Sequence, residues 1–389
     1  MIIVLICLCM ISCNTKPRPD AVILSSGENS SMHYVKPEND YTGKWMNDKD
    51  PLREVIQSEI MSRKYSASPE PANGNDSVQS DGCKWTFIVK DGKTVRVMFV
   101  NGEKASGNTF WMLSDENAPM RCILIAPDRS TGPGSWKAAV RQNDSVYIDD
   151  FTLINRQYLV LVQRKNLNTS IEITDIYPEK KSGVENKINF PEPEGRISQL
   201  SYDKDEDKLV FIYSSIITPP TCYTYGIHSM HLGIRWKKRI SNYNQEDYKA
   251  EVIRLNGSNN GGTLISVIRK RDMEPAKGSA PLLLFIETSK PWEQTRTFDP
   301  DLLSLLDRGF IVARLFIPEK DVSETEKNGM ITKCISSLIN GNGNAGPTSN
   351  DQTIPGNTLL IRTGFDQTQE IAKRAELITF VLASYQIDK

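Results

Sequence analysis

The sequence predicts two successive kinds of β structure: an antiparallel region of short strands, followed by an α/β layer. In residues 83–215, short runs rich in β-branched and aromatic residues alternate with turn dipeptides such as DG, NG, NR and SG, which is typical of antiparallel strands. In residues 281–317, two strand-length runs are continuously apolar, as expected of strands buried on both faces. A short helical segment lies between these two runs, and a helix between buried strands indicates an α/β layer architecture.

The N-terminal run MIIVLICLCMIS has the length of a signal-peptide core and is too short to cross a bilayer. It ends in Met10-Ile11-Ser12-Cys13, which resembles the cleavage box of bacterial lipoproteins. We therefore predict a signal peptide over residues 1–13, lipidation of Cys13, a flexible tether over residues 14–39 and a location at the bacterial cell envelope. No Lys or Arg precedes the run, so a plain secretory signal or a buried strand stays open.

Residues 40–66 are predicted to form an N-terminal helical segment. Within it, LREVIQSEIM carries apolar residues at helical spacing, and Pro51 fits the first turn of a helix. The next stretch, residues 66–81, is rich in Pro, Asn, Ser and Gly and predicts a loop.

A D-x-D-x-D run at Asp203, Asp205 and Asp207 has the form of the first half of a calcium loop. Lys208 stands where such a loop needs its Gly, and Ser214 stands where it needs a bidentate Glu. The run therefore predicts a solvated turn between two strands.

In the α/β layer we predict a strand from Pro281 to Ile286, a helix from Pro300 to Asp307 and a strand from Phe310 to Ile317. Gly309 follows the helix at the C-terminal cap, where Gly is favoured. A further helix is predicted from Met330 to Ile339.

The glycines at 341, 343 and 346 match the dinucleotide fingerprint G-x-G-x-x-G. A working fingerprint follows a strand and opens a helix, so that backbone N–H groups meet a pyrophosphate. Here the motif follows a predicted helix and runs into Pro347, so it predicts a loop.

Length and composition allow two domains plus extensions in 389 residues. A formal net charge of −1 and a pI of about 6.4 give no field that would attract nucleic acid. Outside the N-terminal run, Cys83, Cys122, Cys222 and Cys334 lack the CxxC spacing of a metal site. We read them as small buried hydrophobes and expect no metal or other cofactor.

Several of these segments resemble the prolyl oligopeptidase family, in particular its oligopeptidase B branch. PLLLF and LLSLLDRGFIVA resemble the entry to the α/β-hydrolase domain of that family, and residues 136–168 and 202–220 resemble blades of its β-propeller. Tyr213, Ser214, Ser215, Thr218 and Pro219 stand where the family has a Y-S-S-x-x-T-P-like run.

The resemblance implies an incomplete β-propeller with antiparallel blades over residues 75–250, followed by a truncated α/β-hydrolase domain over residues 251–389. A four-stranded blade takes about 40–45 residues, so residues 83–250 supply at most about four blades. A closed ring of so few blades would be tight, and an open arc would expose strand edges.

The catalytic serine that the family places on a strand-to-helix elbow is missing, because no G-x-S-x-G occurs in this chain. Aligned without gaps, the elbow becomes Thr363-Gly364-Phe365-Asp366, with Phe365 at the nucleophile position. In a competing alignment the same stretch is a later strand, and Asp366 is the acid of the triad. The family's His follows that acid, and no His occurs in this chain after His231.

What the resemblance implies for an intact member is serine endopeptidase action on short peptides; for this chain we predict a pseudo-peptidase. Two alternatives stay open. One is an envelope-anchored propeller that binds peptides or a protein partner. The other is a residual hydrolase with a relocated nucleophile, for which Ser336, or Ser337 one helical turn from Lys333, would serve.

Overall fold

The computed structural model divides the chain into two compact units, one comprising residues 1–67, 239–294 and 298–389 and the other residues 68–238 with 295–297. The residues that it describes are 3–5, 22–25, 50–65, 83–90, 93–100, 109–115, 117–127, 129, 133–155, 157–176, 185–255, 263–272, 281–287, 298–317, 323–340 and 358–361. We call the unit that contains residues 239–294 the α/β unit and the unit that contains residues 68–238 the β unit.

The helices are α1 (Asp50–Tyr65), α2 (Leu303–Leu306) and α3 (Glu324–Asn340), with short 3-10 turns at Pro133–Ser135, Gln245–Asp247 and Pro300–Leu302. The strands of the β unit are β3 (Cys83–Lys90), β4 (Lys93–Val100), β5 (Thr109–Ser114), β6 (Cys122–Pro127), β7 (Lys137–Val140), β8 (Tyr147–Ile154), β9 (Tyr158–Lys165), β10 (Asn168–Asp175), β11 (Glu185–Pro193), β12 (Arg196–Asp203), β13 (Lys208–Ser214), β14 (Thr221–Gly226) and β15 (Leu232–Lys237). The strands of the α/β unit are β1 (Ile3–Leu5), β2 (Val22–Ser25), β16 (Tyr248–Leu255), β17 (Thr263–Lys270), β18 (Leu282–Glu287), β19 (Ile311–Phe316) and β20 (Thr358–Ile361). None of the helices in the described ranges combines the length and apolarity needed to span a membrane.

The β unit consists of three antiparallel sheets, β3–β7, β8–β11 and β12–β15, in which consecutive strands pair as hairpins. This confirms the antiparallel architecture that the turn clusters predicted. The second and third sheets are four-stranded meanders, which is the form of a propeller blade. Of the D-x-D-x-D run, Asp205 and Asp207 lie in the turn between β12 and β13, as predicted, and Asp203 is the last residue of β12.

The sheets of the β unit pack face to face through two apolar clusters. Trp111 and Ile123 of the first sheet pack with Phe151 of the second. On its other face the second sheet packs against the third, where Phe190 meets Phe211. The middle sheet is thus covered on both faces, because its strands carry apolar side chains on both.

The α/β unit holds a seven-stranded sheet in the order β1–β2–β20–β18–β19–β17–β16. Strands β2, β20, β18 and β19 are parallel to one another, whereas β17 is antiparallel to β19. Every residue of β18 and β19 is buried, which confirms that the continuous apolar runs predict strands covered on both faces. The predicted helix between them is a 3-10 turn followed by α2, with Gly309 at a φ of 82° after its end.

Helix α3 covers one face of this sheet with Ile331, Cys334, Ile335 and Leu338. It begins at Glu324, six residues before the predicted start at Met330. A capping box explains the earlier start: the Ser323 backbone N–H donates to Glu326 Oε2 at 2.8 Å, and the Glu326 N–H donates to Ser323 Oγ at 3.3 Å.

The N-terminal residues that the structure describes form strands. Ile3–Leu5 pairs with Val22–Ser25, which lies inside the predicted tether, and this second strand pairs with β20. A strand here corresponds to the alternative that the sequence left open, and cleavage before Cys13 would remove β1 from the sheet. Cys13 itself lies outside the described residues, so its lipidation stays a prediction.

Helix α1 is held to the segment around α2 by a network of charged side chains. Arg308 binds Glu59 with two hydrogen bonds, Nη1 to Oε2 at 3.1 Å and Nη2 to Oε1 at 2.7 Å. Ser304 Oγ donates to Glu59 Oε2 at 2.6 Å and accepts from Arg63 Nη1 at 2.7 Å. Arg63 also pairs with Asp307 at 3.2 Å. Burial raises the pKa of Glu59, but the hydrogen bonds and positive charges of its partners outweigh burial and leave that pKa below its ordinary value.

We expect Glu59→Gln to lower the free energy of unfolding by about 2 kcal/mol at pH 7, because hydrogen bonds to a charged carboxylate are lost. A carboxyl group with a lowered folded-state pKa stabilises the fold above its ordinary pKa of 4.5 and loses this contribution as the pH falls through the folded value. Urea unfolding of both proteins from pH 7 to pH 3 should therefore show the difference shrinking towards low pH. Glu54→Gln, on an exposed position of the same helix, should leave stability unchanged at every pH; an equal loss in both variants would contradict the prediction.

Candidate functional site

A polar network around His228 is the place in the β unit where a histidine meets a carboxylate. His228 Nδ1 lies 3.1 Å from Asp207 Oδ2. Tyr202 donates its hydroxyl proton to Asp207 Oδ1 at 2.6 Å and accepts a hydrogen bond from Asn155 at 3.0 Å. The His228 ring also packs edge-on against Tyr158, with ring centroids 6.4 Å apart.

This arrangement orients the imidazole of His228 but does not activate a nucleophile. A carboxylate at Nδ1 favours the proton on that nitrogen and leaves Nε2 as an acceptor, which is the role of the acid in a catalytic triad. Among the described residues no Ser, Thr or Cys side chain bonds to the imidazole of His228 or His231. The His228 side chain is 64% exposed, so it lies outside any closed cleft. Burial and Asp207 raise the pKa of Tyr202 to about 12, so its hydroxyl remains a donor.

Three acidic side chains at the β12–β13 turn, those of Asp203, Glu206 and Asp207, bind protein donors. Asp203 pairs with Arg235 at 3.2 Å, and Arg235 also pairs with Glu206 at 2.9 Å. Asp207 is engaged by Tyr202 and by His228. In the part of the chain that the structure describes, no group of three or more His, Cys, Asp or Glu side chains could hold a metal ion.

Two nucleophilic side chains on α3, those of Cys334 and Ser337, are buried. Cys334 is fully buried, and burial raises the pKa of its thiol well above its usual range. Ser337 is buried as well, whereas Lys333 is exposed. The structure gives no support to a Ser–Lys pair here, and the side chain of Ser336 lies outside the described residues.

The predicted elbow, Thr363, Gly364, Phe365 and Asp366, lies outside the described residues. The described strand before it, β20, ends at Ile361 and runs parallel to β18. A nucleophile elbow in this class of fold follows a parallel strand. The assignment of Phe365 to the nucleophile position stays a prediction.

The Y-S-S-x-x-T-P-like run has a structural role in the third sheet. Tyr213 is buried, and its hydroxyl donates to Glu192 at 3.0 Å while its ring stacks on Phe190 with centroids 4.1 Å apart. A Cβ atom on Gly195 would lie 2.6 Å from the Tyr213 ring, so only Gly permits this approach. Burial, followed by the charge of Glu192, raises the pKa of Tyr213 far above its usual value, which keeps the hydroxyl protonated.

The rest of the run closes a tight turn between β13 and β14. Ser215 Oγ accepts hydrogen bonds from the backbone N–H groups of Ile217 at 3.3 Å and of Thr218 at 3.0 Å. Ser214 donates its hydroxyl proton to the carbonyl of Thr218 at 3.0 Å. Thr221 donates in the same way to the carbonyl of Pro219 at 2.8 Å. The polar residues of this run therefore satisfy the turn's own backbone groups.

A feature that the sequence analysis missed is an exposed apolar strand edge at the end of the third sheet. Met230, Leu232 and Ile234 lie on or beside β15 and are exposed. They are followed by the basic residues Lys237, Lys238 and Arg239. The alternation of apolar residues in MHLGIRWKKR was the signal that could have identified this surface.

Comparison with known proteins identifies the β unit. The model of the prolyl oligopeptidase N-terminal β-propeller domain matches residues 71–233, which include the three antiparallel sheets up to the start of β15. The β unit is therefore a β-propeller domain, and the chain is related to the prolyl oligopeptidase family. The match does not extend into residues 251–389, whose assignment to a truncated α/β-hydrolase domain stays a prediction.

The chain is similar to several peptidases over part of their length. Dipeptidyl aminopeptidase BI of Pseudoxanthomonas mexicana is 25% identical over 193 residues, which are 49% of this chain and 26% of that protein. The structure of oligopeptidase B from Leishmania major is 20% identical and has a TM-score of 0.44, covering 60% of this chain and 33% of that one. Oligopeptidase B from Trypanosoma brucei with covalently bound antipain is also 20% identical, with a TM-score of 0.44, covering 57% and 32%. The chain thus spans between 26% and 33% of the length of these proteins.

Proposed function

We propose that this chain is a non-catalytic relative of the prolyl oligopeptidases whose β-propeller binds peptides or a protein partner instead of cleaving them. The observation that carries the proposal is that no Ser, Thr or Cys side chain among the described residues bonds to the imidazole of His228 or His231. Both lie in the β14–β15 hairpin, and the His–Asp pair at His228 is exposed and meets no Ser, Thr or Cys side chain among the described residues. A serine hydroxyl without a base remains a poor nucleophile at neutral pH.

The sequence supports the same proposal. The chain contains no G-x-S-x-G, and in the gap-free alignment with the family Phe365 would stand at the nucleophile position. A phenyl ring cannot attack a carbonyl carbon. The thiol of Cys334 is no substitute, because a buried thiol with a raised pKa stays protonated.

We expect the purified chain to leave fluorogenic arginyl and lysyl peptides uncleaved and to resist labelling by a fluorophosphonate probe. The control is His228→Ala, which should give the same background rate as the wild-type chain. Turnover that disappears in Ser336→Ala or Ser337→Ala would contradict the proposal and favour a residual hydrolase with a relocated nucleophile. Turnover that disappears in His228→Ala would assign a base to the propeller hairpin.

The binding role in this proposal is supported by one observation in particular, the exposed apolar edge at β15. Scattered exposed hydrophobic residues are normal on a protein surface, but contiguous ones mark interaction sites. Three of the five exposed large hydrophobic residues in the described ranges lie within five positions of one another, at 230, 232 and 234.

A further inference from the structure

Strand β15 offers hydrogen-bonding groups at an open sheet edge. It pairs with β14 on one side and is the last strand of its sheet, with no strand on its other side among the described residues. The backbone N–H of Gly226 donates to the carbonyl of His231 at 3.1 Å, and Leu232 and Ile234 lie opposite Tyr225 and Tyr223. In an antiparallel pair, a residue whose backbone N–H and C=O point towards the partner strand is followed by one whose N–H and C=O point away from it. His231 bonds to β14, so the N–H and C=O groups of Leu232 and Ile234 point away from β14.

Side chains along the same edge are apolar and exposed. Met230 is 57% exposed, Leu232 37% and Ile234 60%. An extended chain laid along β15 would cover them, and its main chain would hydrogen-bond to the outward groups. The geometry of the edge therefore selects an extended segment over a helix.

The uncompensated positive charge near β15 lies at its C-terminal end. Arg235 is neutralised by Asp203 and Glu206, at 3.2 and 2.9 Å. Beyond it, Lys238 makes no ion pair with a described residue, and it follows directly on Lys237. The C-terminal end of β15 is thus the positive end, which complements a segment with carboxylates at the end that faces it.

We propose that the outer edge of β15 is a docking site for an extended, acidic and apolar segment of another protein, which adds to the third sheet as an antiparallel strand. This inference rests on the proposed binding function and specifies its surface and its ligand. In an antiparallel arrangement the N-terminal end of the segment lies opposite Lys237 and Lys238, so its acidic residues come first. Alternating apolar residues follow and cover Leu232 and Ile234.

The test uses the full chain and a labelled octapeptide with two N-terminal glutamates followed by alternating valine and threonine, titrated by fluorescence anisotropy. We expect saturable binding, weakened about tenfold or more by Ile234→Lys. The matched control is Val55→Lys, because Val55 is 48% exposed but lies on α1; it should bind the peptide as the wild-type chain does. A peptide with lysines in place of the glutamates should bind about tenfold more weakly.

Two further peptides test the main-chain pairing. One is N-methylated at the valines and the other at the threonines. Only alternate N–H groups of an added strand face β15, so one of the two peptides should lose binding and the other should keep it. Equal binding of both peptides would overturn strand addition.

Three results would overturn the docking site itself: no saturable binding, equal affinity of the wild-type chain and Ile234→Lys, or a wild-type dimer that Ile234→Lys converts to a monomer in sedimentation velocity. The last result would assign the edge to a second copy of this chain. Cleavage of the octapeptide, followed separately by mass spectrometry, would instead contradict the proposed lack of hydrolysis and leave the docking result standing.

Discussion

Replacement of Glu287 by leucine is expected to lower the free energy of unfolding by about 3–5 kcal/mol. Glu287 on β18 pairs with Arg314 on β19 at 3.1 Å, and each side chain is only 4% exposed. Burial lowers the pKa of Arg314 to about 9, so the guanidinium is still charged at pH 7. Without Glu287 this buried charge loses its carboxylate partner, and the remaining surroundings cannot replace bulk water.

Urea unfolding followed by circular dichroism measures this loss. The matched control is the double variant Glu287→Leu with Arg314→Met, which removes both charges and keeps the side-chain volume close to the original. We expect its stability to lie within about 1 kcal/mol of the wild-type chain, or above it, because a buried ion pair gains little over apolar packing. A single variant as stable as the double variant would show that Arg314 does not depend on Glu287.

Tyr213→Ala is expected to cost about 3–5 kcal/mol, the range for removing a buried aromatic ring from a core. The substitution removes the stacking on Phe190 and opens a cavity beside Gly195. It also takes away the hydroxyl that binds Glu192. Chemical denaturation with near-ultraviolet circular dichroism as the readout should show both the loss of stability and the loss of aromatic packing.

Tyr213→Phe is the control for this variant, because it keeps the ring and removes only the hydroxyl. We expect it to cost about 1–2 kcal/mol, since the Glu192 carboxylate loses one hydrogen bond. If Tyr213→Phe were as destabilising as Tyr213→Ala, the hydrogen bond and not the ring would hold the third sheet.

The elements with the strongest local patterns were predictable from the sequence. β18 and β19 follow from continuous apolar runs, and the segment between them follows from Pro300 at its start and Gly309 at its end. The start of α3 was missed because the Ser323–Glu326 capping box lies in a polar stretch without apolar periodicity. Local patterns identify elements but contain no information on which strands become neighbours.

Features that depend on pairing register could not be predicted. In the parallel pair of β18 and β19, Phe285 lies opposite Arg314. Glu287 comes two residues after Phe285 on β18, so its side chain lies on the same face of the sheet as that of Arg314. Nothing in the separate runs LLLFIE and IVARLF specifies that register. The same holds for the candidate site, where Asp207 and His228 are brought together from a turn and a hairpin 21 residues apart.

The seven-stranded sheet has a consequence for the order of events during synthesis on the ribosome. Its strand β2 pairs with β20, so residues 22–25 must wait for residues 358–361 to be made. Residues 68–238 contain all the strands of the β unit, so pairing of those strands meets no such delay. Because domains generally fold as units while the chain emerges, the propeller can fold first, and the seven-stranded sheet is completed only after residues 358–361 have been translated.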